Sequence, residues 1–105
     1  LIYLETSSIQ DQETYYQAWT KWVYSGEAKK EMSERNNKEV DYKLELQAYS
    51  KKNKQTSLLA MHIYDKDGKV IFSHNYSSYP ISWNNVVPDS IGEHVIEMVY
   101  LFAYN

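Results

Sequence analysis

Four residues constrain this chain more than any others: Asp65-Lys66-Asp67-Gly68. They lie between two β-prone runs, Thr56 to Tyr64 and Val70 to Tyr76. Aspartate suits the first position of a type I turn, and glycine takes the positive φ of the bulge that follows it. The segment therefore reads as a β-hairpin with Asp65 opposite Lys69 and Tyr64 opposite Val70. In that register His62 faces Phe72 and His74 faces Ala60, which puts the two histidines diagonally across one face.

The elements around the hairpin follow from periodicity. Leu1 to Leu4 is a short apolar strand, followed by a polar turn. Thr14 to Tyr24 is β-rich, with apolar residues on both parities, so it reads as a strand covered on both faces. Asp41 to Ser50 alternates: Tyr42, Leu44, Leu46 and Ala48 share one face, and Lys43, Glu45 and Gln47 share the other. That is the pattern of a half-buried antiparallel strand. Between them, Ser25 to Glu39 interleaves both charge signs. It reads as an exposed loop or a short polar helix, with a mobile recognition loop as the sharper alternative.

After the hairpin, Pro80 bars helix in the loop that carries Trp83. Ser90 and Glu93 then form the capping-box pattern Ser-x-x-Glu, preceded by Pro88 and Asp89. Ile91, Val95, Met98 or Val99, and Phe102 fall on one stripe. A helix from Ser90 to about Ala103 is expected, lying across one face of the sheet. The fold class is α+β: an antiparallel sheet of about five strands with a C-terminal helix packed on one face. With 105 residues and no dividing linker, residues 1–105 make one domain.

Composition narrows the function classes. The net charge is −3, and the Lys51, Lys52 and Lys54 cluster is too small to make a basic field, so no nucleic-acid partner is expected. There is no cysteine, which removes disulfides, thiol catalysis and cysteine-ligated zinc. No apolar run approaches the ~20 residues that span a bilayer. The chain starts at Leu1, inside a strand, and so reads as a processed or trimmed product, with a removed export signal as one expectation.

Little in the chain carries chemistry. His62 and His74 are the strongest metal candidates, but a site needs a third ligand and an outer shell of partners. They read as partly exposed strand histidines, and His94 as a surface residue, so no metal site is assigned. Asp65-x-Asp67-Gly68 matches the start of a calcium loop, but the twelfth position holds Tyr76 and the glycine is misplaced. Asn75-Tyr76-Ser77 is a glycosylation sequon of low specificity. No nucleophile elbow, phosphate loop or carboxylate pair is present, so neither an enzyme nor a cofactor is expected. The remaining signal is aromatic: 11 Tyr and 3 Trp. Trp19 or Trp22, and Trp83, are candidates for the core. An exposed subset, Tyr15, Trp19, Tyr76 and Tyr79, is the candidate partner face, because Tyr and Trp bury large area at low entropic cost.

Three segments taken together resemble a known family. They are Tyr3-Leu4-Glu5-Thr6-Ser7-Ser8-Ile9 with Ala18-Trp19-Thr20-Lys21; Tyr64-Asp65-Lys66-Asp67-Gly68-Lys69-Val70-Ile71; and Trp83 with Val87-Pro88-Asp89-Ser90-Ile91-Gly92-Glu93. Their order resembles that of the surface-adhesin E-like proteins, small exported domains of bacteria. The resemblance implies an antiparallel sheet with a C-terminal helix, and location in the cell envelope, the periplasm or at the surface. It also implies a lipid-anchored precursor in many members, and binding of host extracellular proteins without catalysis. The family often carries a cysteine pair tying the strand before the hairpin to the helix. The equivalent positions here hold Tyr49 and Tyr100. The expectation is thus a non-catalytic binding module that recognises a protein partner. A small intracellular interaction or immunity-type protein is the alternative, and an exposed strand edge offers a homodimer contact.

Overall fold

The computed structural model describes residues 1–76 and 81–103. Among them are seven strands: β1 (Ile2–Leu4), β2 (Gln10–Asp11), β3 (Tyr15–Val23), β4 (Tyr42–Ser50), β5 (Gln55–Tyr64), β6 (Val70–Asn75) and β7 (Asn84–Asn85). Two α-helices accompany them, α1 (Gly26–Asn36) and α2 (Ile91–Ala103). All strand pairs are antiparallel. The main path is β1-β3-β4-β5-β6, with β2 also against β3 and β7 also against β5. The five-stranded sheet with a C-terminal helix is therefore present, extended by two two-residue strands.

The polar stretch after β3 is a helix, not a loop. Asn37 closes α1 in the left-handed conformation, and its N–H reaches the carbonyls of Glu34 and Ser33. Lys29 lies 3.3 Å from Glu39 and 3.6 Å from Asp41, linking the helix to the chain that enters β4. No residue of α1 is buried, as its mixed charges require. Val40 just beyond it is completely buried, and its N–H donates to Ser33 Oγ at 3.0 Å.

The hairpin turn forms as its residues dictate. The Asp65 carboxylate accepts from the N–H groups of Asp67 and Lys69, both at 2.9 Å, and Gly68 takes φ +78°. Asp65 N–H donates to Lys69 O, and Tyr64 pairs with Val70. The register beyond the turn corrects the sequence expectation. A one-residue shift between Ile63 and Tyr64 skips Ile71, so His62 opposes Ser73 and His74 opposes Met61, instead of Phe72 and Ala60. A bulge of one residue exchanges the faces of everything after it, and His62 and His74 point to opposite sides of the sheet.

Helix α2 begins at its cap. Ser90 Oγ accepts from Glu93 N–H at 3.2 Å, and Glu93 Oε1 accepts from Asp89 N–H, one residue earlier than the capping box places it. The buried stripe keeps Val95 and Val99 of the expected one but is rotated away from Ile91 and Phe102. Ile96 and Val99 are fully buried against Tyr16, Ala18 and Tyr49, with Val95, Tyr100 and Ala103 beside them. Ile91 and Phe102 are exposed. The helix is apolar over most of its circumference, so its sequence does not single out the stripe that meets the sheet.

The helix covers the face that carries Tyr16, Ala18, Thr20 and Tyr49. On β4 this is the parity of Lys43, Glu45 and Gln47. The apolar parity, Tyr42, Leu44 and Leu46, lies on the opposite face and is only half-buried.

Candidate functional site

The face opposite α2 is built by strand alternation. Trp19 and Lys21 of β3 pair with Leu46 and Leu44 of β4, which pair in turn with Ala60 and His62 of β5. Tyr3 of β1 faces Lys21 on the same side. Trp19 stacks on His62 with ring centroids 5.7 Å apart, and Tyr42 stacks on Tyr64 at 4.7 Å. The Lys21 ammonium sits 4.5 Å above the Tyr42 ring, within cation–π range. His62 Nδ1 lies 2.6 Å from Ser73 Oγ, which fixes the imidazole. These contacts hold the rings in place while leaving them part-exposed. Such preorganisation lowers the ordering cost when a partner covers them.

Two features shape this surface. At one end Trp83 meets Tyr15 edge-on at 5.9 Å, and the small residues Ala48 and Ser57 on the same face are buried. Toward the other end a groove of about 740 Å³ runs over β1, β3 and β4, lined by Tyr3, Trp19, Lys21, Val23 and Leu44, with Glu5 on its wall.

Of the candidate partner-face residues, Tyr15 and Trp19 lie together on this uncovered face. Tyr76 lies elsewhere. Its ring is 4.3 Å from that of His74, and His74 pairs with Met61 on the side that α2 covers. Phe72, His74 and Tyr76 make an exposed aromatic row there, away from the helix. Tyr79 lies outside the described residues. Tyr42, Tyr64, His62 and Lys21 were not among the candidates. Their signal was the alternation of β4, which marks one apolar face but not which face the helix leaves bare. Trp22 is on the helix side, half-buried, with its indole N–H donating to Thr20 Oγ1 at 3.0 Å and the Lys43 ammonium over its ring.

The opposite face holds buried Thr20 and Glu45. Glu45 is 6% exposed and pairs with Lys43 at 3.3 Å. Burial first, and the Glu45 charge second, push the Tyr49 phenol well above the usual tyrosine range. The Tyr49 hydroxyl has no hydrogen-bond partner among the described residues. Tyr100 O–H donates to Ser50 O at 2.5 Å and to Asn53 O at 3.2 Å. Both tyrosines therefore stand at the helix–sheet junction, where the resemblance places a cysteine pair. Lys54 adds a surface tie, 2.8 Å from Glu97 and 3.5 Å from Glu93. Among the described residues no three His, Asp or Glu side chains come together as a metal site.

This architecture, an antiparallel sheet closed by a C-terminal helix, coincides with a family match. The sequence model of surface-adhesin protein E covers residues 1–99. The chain belongs to the surface-adhesin protein E family. Membership carries an adhesin-like role and a surface or exported location at the level of the family. No curated protein and no solved structure gives a match. As an adhesin E domain, the chain has no helix among its described residues long and apolar enough to cross a membrane.

Proposed function

We propose that this adhesin E domain is a non-catalytic binding module, exported from a lipid-anchored precursor, that recognises a protein partner through its uncovered sheet face. The observation that supports this reading most is the pair of stacked contacts, Trp19 on His62 and Tyr42 on Tyr64, held half-exposed on rigid strands. A surface of fixed aromatic rings with a lysine over one of them suits a protein epitope, where aromatic anchors carry most of the affinity. Tyr15 and Trp19 belong to this contact surface.

The test is binding of the purified chain to immobilised extracellular-matrix glycoproteins. Binding by the unmodified chain, lost in Trp19→Ala and Tyr42→Ala but kept in Phe72→Ala, is the expected result. Equal binding by all four forms would place the contact elsewhere. Export and anchoring are tested separately, by locating the protein in fractions of the cells that make it.

A further inference from the structure

Strand β1 ends the sheet, and its outer edge carries no strand among the described residues. Leu1 and Val23 exchange both backbone hydrogen bonds, at 3.1 and 2.8 Å. In an antiparallel pair such bonded positions alternate, so Tyr3 is directed at Lys21, and Glu5 N–H donates to Trp19 O. The N–H and C=O groups of Ile2 and Leu4 therefore point away from β3, into solvent.

A groove lies on each side of this edge. On the uncovered face it is the one of about 740 Å³ that contains Tyr3 and Trp19. On the helix side a second groove, about 590 Å³, runs between β1 and α2 and is lined by Ile2, Ile91, Val95 and Met98. Leu4 lines both. Successive side chains of a strand point to opposite faces, so a strand laid along Ile2–Leu4 directs alternate side chains into the two grooves. Both grooves are walled mainly by apolar side chains; the first also holds Glu5 and Lys21, the second Asp89 and His94, and the Lys21 ammonium is turned onto the Tyr42 ring, away from Glu5 as a partner.

We infer that the β1 edge binds an extended segment of a partner protein as an added strand, one with apolar side chains flanked by lysine or arginine. The inference rests on the binding-module reading and names its mode: backbone hydrogen bonds to Ile2 and Leu4 hold the segment, and the two grooves select its side chains. The basic flanks answer Glu5, Asp89 and the net charge of −3.

The experiment uses the full 105-residue chain, isotope-labelled, and the blocked peptide Lys-Val-Thr-Val-Thr-Val-Lys as probe. Saturating peptide is expected to slow amide exchange at Ile2 and Leu4 by about tenfold or more, with Phe72 of β6 unchanged. The same peptide N-methylated at alternate residues is expected not to bind. Ile2→Pro removes an outward N–H at an edge position that tolerates proline, and is expected to weaken binding by about tenfold while the circular dichroism spectrum is kept. Ile91→Glu, at an exposed site, tests the helix-side groove independently and is expected to weaken binding as well. No binding at millimolar peptide, equal binding of the N-methylated peptide, protection at β6 instead, or protection of Ile2 and Leu4 by self-association of the chain would overturn the inference. Capture of a matrix glycoprotein that needs Trp19 but leaves exchange at Ile2 and Leu4 unchanged would also overturn it, while leaving the aromatic-face reading in place.

Discussion

The two faces of the sheet are made by the same strands and put to opposite uses. On one, α2 seals Tyr16, Ala18 and Tyr49 beneath Ile96 and Val99. On the other, Trp19, Tyr42, Leu44 and Leu46 offer comparable apolar bulk with no helix over them among the described residues. The polar-parity residues of β4 lie under the helix side, and Tyr42, Leu44 and Leu46 of the apolar parity are left half-open. A sheet that needed only stability would place them the other way round, since buried Glu45 requires Lys43 as a partner and exposed aromatic area gains nothing from folding. The difference separates a face that holds the fold from a face free to contact something else.

That contrast can be broken or sharpened by substitution. The largest effect is expected in the sealed face: Ile96→Ala should destabilise by about 2–5 kcal/mol in urea unfolding, through lost burial and a cavity. Trp19→Ala on the open face should cost well under half of that, despite removing a larger side chain. Equal losses would show that the open face is core after all.

Single hydrogen bonds come next. Tyr100→Phe removes the hydroxyl that bonds Ser50 O and Asn53 O, and should cost about 1 kcal/mol. Tyr49→Phe, by contrast, removes a buried hydroxyl without a described partner, and should be neutral or stabilising by up to about 1 kcal/mol. A clear loss in Tyr49→Phe would mean that the hydroxyl is satisfied by an ordered water, for which the small cavity of about 20 Å³ beside Tyr49, Thr20 and Gln47 has room. At the helix start, Ser90→Ala removes the cap on Glu93 N–H and should cost about 1 kcal/mol.

The smallest effect concerns pH. The hydrogen bond from Lys54 holds the Glu97 carboxyl below its ordinary value of 4.5. A depressed carboxyl stabilises the fold above its unfolded value and loses that contribution as pH falls through the folded one. Melting temperature should therefore fall on acidification below about pH 4.5, slightly less in Glu97→Gln than in the unmodified chain. Both side chains are well exposed to solvent, so the difference is small and should shrink further in high salt.

What was legible in the sequence was local. The turn at Asp65 to Gly68, the cap at Ser90 and the alternation of β4 each depend on residues a few positions apart, and each formed. The ordering of segments around Trp19, the hairpin and Trp83 was enough to indicate the family. What was not legible depended on single-residue offsets or on tertiary choice. Skipping Ile71 sends His74 to the face opposite His62, and no residue type there announces the bulge. The helix could turn Ile91 and Phe102 toward the sheet with Val95 and Val99, or Ile96 with them, all apolar, and only packing on the sheet selects the second. For the same reason Tyr42 and Tyr64 were not placed on the open face, and Tyr76 was grouped with Trp19. The aromatic inventory was visible in the sequence, but its division between two faces was not.

The most direct test of that division is the affinity of Trp19→Ala for a matrix glycoprotein bound by the unmodified chain. An open face that serves as the contact surface predicts a loss of about thirtyfold or more, the effect of removing a central aromatic anchor, with unfolding stability little changed. Unchanged affinity, in a variant that is as well folded as the parent, would contradict it.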